Sequence, residues 1–251
     1  MQAPTPGQYT NEACDLHLLN SRLASTPGCT FKPAHFFVSW HGVLTLVYRG
    51  FPPSLVNLKR QLRESFPSLP PENPGSKWPK TSLGCVKERR RLTPEQLTHL
   101  QTLCHFFSDR LQVLQELTVK VETLNVVGFQ CRSLERKLFE FEVGLSHTDG
   151  PPCGSEPSAE EVGRVQQVIR ASEAEDYWYY ASMDGNREDH YRGDHLGVTL
   201  VHPLGRLMGG AGSPLAALVQ EFRAAVEDSF PGVYVWFAPE SLHVTVLGLM
   251  G

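Results

Sequence analysis

Two stretches of the chain share one pattern of apolar and polar positions. Each begins with a run of mainly β-branched and other apolar residues, at 43–50 and 198–203. A segment of mixed apolar and charged residues follows, beginning at Pro53 or Pro214 and ending at the tripeptide Ser-Phe-Pro. A second β-rich run, 80–86 or 243–249, closes each copy. The repeated order predicts two strand–helix–strand units.

The middle segment of each unit has helical periodicity. Its apolar residues recur every three or four positions while charged residues fall between them: Leu55, Leu58 and Leu62 in the first copy, and Leu215, Leu218, Phe222 and Val226 in the second. Proline suits the first helical turn, where its missing N–H would lack a partner anyway. Pro67 and Pro231 then end the helices.

The rest of the chain alternates helix and strand signals. Thr93 with Gln96 forms a capping-box pattern that predicts a helix running to about residue 115. Strand-like runs follow at 119–129 and 137–144, and Ser158 begins a helix that ends near residue 172. A further short helix is predicted near 13–23. We divide the chain into an N-terminal extension (1–35), a first lobe (36–145), a linker rich in Gly, Pro and Ser (146–158) and a second lobe (159–251).

Charge and targeting signals narrow the function classes. The formal net charge is -4 across 251 residues, whereas duplex-DNA-binding proteins carry a basic field. The chain shows neither a signal-peptide pattern nor an apolar run of about 20 residues, so we expect no membrane association. Its six cysteines are scattered without C-x-x-C spacing, which favours reduced thiols and a cytoplasmic or nuclear protein.

The closing strand of the second unit carries the clearest candidate chemistry. In the sequence from Leu242 to Val246, His243 and Thr245 alternate with aliphatic residues, so a strand would present both on one face. An imidazole has both protonation states available near neutral pH, and a neighbouring hydroxyl can donate a hydrogen bond to a phosphate oxygen. The pair is suited to protonating a leaving oxygen while a phosphate is held.

The stretch from Pro239 to Val246 resembles the HxTx strand of the two-histidine phosphoesterase superfamily. The resemblance covers about 195–251 well and about 42–145 more loosely. It implies an α/β (α+β) fold with two pseudo-symmetric lobes, each an antiparallel-type sheet with packed helices, around a central cleft. It also implies metal-independent hydrolysis of cyclic phosphodiesters or RNA ends, without a cofactor, by one histidine and one hydroxyl from each lobe.

The first unit departs from this pattern at the histidine. Lys80 stands at the histidine position with Ser82 at the hydroxyl position, or, in another register, Thr81 matches Thr245. A lysine is protonated at neutral pH unless burial lowers its pKa strongly, but it can hold a phosphate by charge. His41 and His202, in the first strands of the two units, are other candidates for the missing acid or base.

We therefore expect a phosphoesterase-like protein that acts on or binds a cyclic phosphate, a nucleotide or an RNA end. His243 is the expected acid or base, and Thr245, Lys80 and Ser82 are the expected phosphate-binding residues. The alternative is a catalytically inactive relative that binds a phosphorylated ligand or a protein partner. A third hypothesis is an unrelated α/β interaction protein in which His243 is a packed strand residue.

Three weaker signals have simpler interpretations. The basic run 87–91 fits a solvated loop better than an RNA-binding patch, and the aromatic cluster 177–180 fits packing better than base stacking. Glu188, Asp189, His190, Asp194 and His195 lack a zinc-like spacing. We expect no metal site.

Overall fold

The structure is a computed structural model that describes residues 16–72, 77–114, 117–146, 156–183, 187–209 and 212–250. Its strands are β1 (Cys29–Phe31), β2 (Pro33–Ser39), β3 (Val43–Tyr48), β4 (Lys80–Val86), β5 (Val119–Val121), β6 (Thr123–Phe129), β7 (Lys137–Gly144), β8 (Gly197–Pro203), β9 (Tyr234–Trp236) and β10 (His243–Met250). Its helices are α1 (16–24), α2 (Pro53–Ser65), α3 (Pro94–Val113), α4 (Ala159–Ala171), α5 (Tyr177–Ser182), α6 (Arg187–Arg192), α7 (Gly205–Gly209) and α8 (Pro214–Ser229).

Two four-stranded antiparallel sheets form the two lobes. The first sheet has the order β2-β3-β4-β9, the second has the order β10-β8-β6-β7, and β1 pairs with β5 in a separate ribbon. Both predicted units are present. In the first unit, strands β3 and β4 flank α2 along the chain and lie in the first sheet, and in the second unit, strands β8 and β10 flank α8 and lie in the second sheet. The mixed α+β class and the two-lobed arrangement are therefore as expected from the sequence.

The helix signals correspond to local hydrogen bonds. Thr93 and Gln96 form the full capping box at the start of α3, and the Ser158 hydroxyl accepts the Glu161 N–H at the start of α4. The predicted strand 119–129 is divided in two at Glu122, into β5 and β6. The predicted helix near 13–23 is described only from residue 16 onward.

The first sheet is covered on both faces, which explains why every residue of β3 is buried. Phe36 of β2 packs against Phe107 of α3 and Phe222 of α8, with the Phe36 and Phe222 ring centroids 4.6 Å apart. On the opposite face, Phe37 packs with Trp78 and with Val165 of α4. The helix α8 thus lies along the chain between β8 and β10 of the second sheet but packs its apolar face on the first.

The two sheets also draw strands from both halves of the chain. The hairpin β6–β7 precedes the 146–158 segment and pairs with β8, while β9 follows that segment and pairs with β4. A Cβ at Gly84 would lie 2.7 Å from the Val235 carbonyl oxygen, so the glycine permits β9 to pair there. Only residues 237–242 separate β9 in the first sheet from β10 in the second. Of the 146–158 segment, residues 147–155 lie outside the described ranges.

In the part of the chain that the structure describes, we find no helix with the length and apolar character needed to cross a bilayer.

Candidate functional site

The predicted motif strand β10 has one face in the core and one face open. Val244 and Val246 are fully buried, while His243 and Thr245, which alternate with them, are partly exposed. His202 of β8 also faces the core. It lies opposite Val244 of β10 and contacts the Phe31 ring. The alternation expected of this strand is therefore observed at its first four residues.

Strand β4 shows the same alternation around its degenerate motif. Lys80 and Ser82 are partly exposed, whereas Thr81 between them is fully buried and its hydroxyl lies 3.0 Å from the Tyr48 hydroxyl. The register that matches Lys80 and Ser82 with His243 and Thr245 is thus the one that presents both pairs to the outside of the core. The alternative register, with Thr81 as the phosphate-binding hydroxyl, is wrong because Thr81 faces the core.

These four residues line one cavity between the two sheets. Its volume is about 490 Å³, within the size range typical of small-molecule sites. Its described lining comprises Trp78, Lys80, Ser82, Arg132, Ser133, Arg187, His190, Tyr191, Phe237, Ser241, Leu242, His243 and Thr245. The expected acid or base and the three expected phosphate-binding residues therefore converge on a common space.

The cavity is strongly cationic. Lys80, Arg132 and Arg187 line it, and among its described lining residues there is no carboxylate. None of these three cations forms an ion pair with another described residue. The Nε of Arg187 is buried and finds no hydrogen-bond partner in the same ranges. Positive charge that is partly desolvated and unneutralised favours an anionic ligand.

His243 is held in one orientation and one tautomer. Its Nδ1 lies 2.7 Å from the Ser241 carbonyl oxygen, which can only accept, so Nδ1 carries the proton and Nε2 of the neutral ring carries the lone pair. Burial lowers the pKa of His243; the Ser241 hydrogen bond opposes this, and the charge of Lys137 adds to it. The imidazole is therefore neutral at pH 7, and its Nε2 can accept a proton.

Lys80 differs from an ordinary surface lysine. Its ammonium lies 4.3 Å from the centroid of the Trp78 ring, a cation–π arrangement. Burial, together with the nearby Arg187 charge, lowers the pKa of Lys80 to about 8. The side chain is still mostly protonated at pH 7 but can release its proton far more readily than a solvated lysine.

The wall opposite the motif strands is formed by α6 and the connection between β6 and β7. Tyr191 of α6 places its hydroxyl 3.3 Å from the Ser82 hydroxyl. Glu135 ties this wall together, because its carboxylate pairs with Arg192 of α6 and accepts the Ala238 N–H. These contacts fix α6 over β4.

Other candidates from the sequence lie elsewhere or contribute differently. His41 is in the turn before β3 and does not line the cavity, and the His202 Nδ1 contacts the Thr123 carbonyl in the core. Neither supplies the missing acid or base. The basic run 87–91 is also outside the cavity lining, whereas His190 is part of it.

The aromatic cluster 177–180 forms α5 and serves packing at two of its residues. The Tyr177 hydroxyl donates to the Val38 carbonyl, and the Trp178 indole N–H donates to the Leu92 carbonyl. Tyr179 and Tyr180 are exposed, and none of the four lines the cavity.

Sequence reasoning missed Arg132, Arg187 and Tyr191. Arg132 lies in the connection between β6 and β7, and the other two lie on the six-residue helix α6. A connection and a helix this short have no periodicity that would distinguish a cavity-lining side chain from a solvated one. The only available signal was the group of charged residues at 187–194, which we considered as a metal site and rejected for lack of a suitable spacing.

No protein-family model, curated protein or solved structure matches this chain.

Proposed function

We propose that this protein is a metal-independent phosphoesterase of the two-histidine type, with one histidine replaced by lysine, that acts on a cyclic phosphate, nucleotide or RNA end. One observation carries the proposal: His243, Thr245, Lys80 and Ser82, chosen from two separate sequence motifs, line the same cationic cavity. Cofactor chemistry is not required, because proton transfer and phosphate binding suffice for such hydrolysis.

The phosphate is bound by charge and by hydroxyl groups. Lys80, Arg132 and Arg187 neutralise its oxygens, and Thr245 and Ser82 donate hydrogen bonds from opposite strands. Charged donors of this kind, held in a partly desolvated site, stabilise the additional negative charge that develops when a nucleophile adds to phosphorus. Lysine in place of histidine therefore retains the electrostatic contribution.

The proton-transfer roles divide between the two motif positions. His243 is neutral at pH 7, so its Nε2 accepts the proton of a water molecule as the water oxygen bonds to phosphorus. The bond from phosphorus to the leaving ester oxygen breaks, and Lys80 donates a proton to that oxygen. A cyclic phosphate opens to a monoester, and solvent returns the proton lost by Lys80 and removes the one gained by His243.

Hydrolysis of nucleoside 2′,3′-cyclic phosphates tests the proposal. We expect turnover by the unmodified chain, a loss of at least about 100-fold in His243→Ala, and a similar loss in Lys80→Met, because each variant lacks one proton-transfer group. His105→Ala is the matched control, since His105 is exposed on α3 and outside the cavity. Equal rates in His243→Ala and in the control would refute the catalytic assignment.

A second candidate function is phosphate-ligand binding without turnover. It is favoured by the position of Lys80, whose ammonium lies against Trp78 as a fixed positive charge where a second imidazole would act. In that case nucleotides bind in a Lys80- and His243-dependent manner while the cyclic phosphate remains intact. Titration of the same variants with a nucleoside monophosphate separates this function from catalysis.

The proposed location is the cytoplasm or nucleus, where RNA ends are available. It is supported by four cysteines that are free and buried: Cys29, Cys85, Cys104 and Cys131. A reducing compartment maintains cysteines in this state.

A further inference from the structure

A second cavity adjoins the phosphate site. Its volume is about 400 Å³, and it shares Arg132, His243 and Thr245 with the first cavity. These three residues therefore stand at the boundary between two spaces of similar size. A phosphate bound at this boundary would have room for a substituent on each side.

The second cavity combines aromatic and cationic groups with one carboxylate, that of Glu72, which pairs with Lys59. The His195 ring is partly exposed and lies with its centroid 6.1 Å from that of Phe129, at an interplanar angle of 34°. Arg63, at the end of α2, lines the same space. The Nη2 atom of Arg63 is buried and has no hydrogen-bond partner among the described residues. A carboxylate oxygen of Glu72 lies 3.9 Å from this atom. An aromatic ring beside incompletely paired hydrogen-bond donors suits a nucleobase, which stacks by its face and accepts by its edge.

A single nucleotide does not use both spaces. Ligand sites typically enclose about 300–1,000 Å³, so either cavity alone accommodates one nucleoside. A cyclic mononucleotide centred on His243 would fill one side and leave the His195 side empty. A phosphodiester between two nucleosides would fill both.

We propose that the second cavity is a nucleoside subsite, so that the preferred ligand is a phosphodiester carrying a nucleoside on each side of the phosphate held at Arg132, His243 and Thr245. This inference rests on the proposed function, since it places the phosphate in the same site. It narrows the ligand class from any phosphate-bearing nucleotide to an internucleotide linkage.

Two probes of equal charge test the subsite. One is a deoxydinucleoside monophosphate, and the other is the matching deoxynucleoside 3′-(methyl phosphate), which has the same single negative charge but only one nucleoside. Both are acyclic diesters without the ring strain of a cyclic phosphate, and chromatography at the end of each titration verifies that they are intact. We expect the dinucleoside probe to bind at least about tenfold more tightly in calorimetric titration, because one further base stacks.

Variants identify where that advantage arises. His195→Ala and Arg63→Gln should each remove most of the advantage and leave the Kd of the methyl ester unchanged. Leu196→Ala is the matched control, because Leu196 follows His195 in the chain but is 64% exposed and outside both cavities. Circular dichroism melting of each variant confirms that it is folded.

The outcomes separate the two proposals. If the methyl ester binds in a Lys80-dependent manner but the dinucleoside probe gains nothing, or if its advantage persists in both second-cavity variants, the subsite is refuted and the phosphate site stands. If neither probe binds, both proposals fail.

Discussion

Replacing Lys80 by methionine should make the protein more stable while removing its function. Burial and the Arg187 charge lower the pKa of Lys80 from an ordinary 10.5 to about 8, so the folded state disfavours the charged ammonium. At about 1.4 kcal/mol per pKa unit, this sets an upper bound of about 3 kcal/mol on the cost at pH 7. The contact with the Trp78 ring offsets about 1 kcal/mol. Lys80→Met should therefore raise the free energy of unfolding by about 2 kcal/mol.

The pH dependence gives this prediction a second, independent readout. Between pH 8 and 10.5 the unfolded chain keeps the Lys80 proton while the folded chain has released it, so the unmodified protein gains stability as the pH rises through this window. Below pH 8 both states are mainly protonated and the cost is constant. The advantage of Lys80→Met should thus be largest at pH 7 and should have mostly disappeared by about pH 9.5.

Urea unfolding followed by tryptophan fluorescence at pH 7 and at about pH 9.5 measures both effects. Lys87→Met is the matched control, because Lys87 directly follows β4 and is exposed. Comparing each variant with the unmodified chain at the same pH cancels the titration of cysteines and tyrosines. The reasoning is refuted if Lys80→Met is no more stable than the Lys87→Met control at pH 7, or if its advantage is independent of pH.

Three further predictions concern catalysis and packing. The rate of hydrolysis should show a bell-shaped dependence on pH. It should fall on the acid side at a pH below 6.5, the ordinary pKa of histidine, as His243 gains a proton, and on the alkaline side near pH 8 as Lys80 loses one. An alkaline limb that persists unchanged in the residual activity of Lys80→Met would contradict the assignment. Phe222→Ala should lower the free energy of unfolding by about 3–5 kcal/mol in urea titrations, because the ring is fully buried, and a loss below about 1 kcal/mol would contradict the packing. Gly84→Val should separate β9 from β4, because the new Cβ would lie 2.7 Å from the Val235 carbonyl oxygen. Hydrogen exchange of the 234–236 amides should become faster. Unchanged protection of these amides would contradict the need for glycine at this position.

The sequence was most informative where structure is determined locally. The caps at Thr93 and Ser158 depend on side chains within three residues of the amide that they bind. The alternation at His243 and Thr245 follows from strand geometry alone. The helix starts and the exposed face of β10 therefore follow from residues that are close together in the sequence.

Sheet membership could not be predicted in this way. The three-residue strand β9 has no periodic pattern, and its pairing with β4 depends on a glycine about 150 positions earlier in the chain. Likewise Arg132 and Arg187 reach the cavity only because Glu135 and its partners hold α6 against the β6–β7 connection. Such contacts are set by the completed fold and leave no signal in the local composition.

The exchange of strands between the sheets has a consequence for how the chain acquires its structure. Residue 84 meets residue 236 only when the chain has been synthesised beyond β9, about 150 residues after β4, and β10 follows six residues after β9. Contacts between such distant residues carry a high loop-closure entropy and are associated with slow folding. Neither half of the chain contains a complete sheet, so a fragment ending near residue 145 should remain unfolded or aggregate through unpaired strand edges. Because Lys80 and His243 lie on strands adjoining this last pairing, an incompletely folded chain has no phosphate site, and binding at the cavity reports the completion of folding.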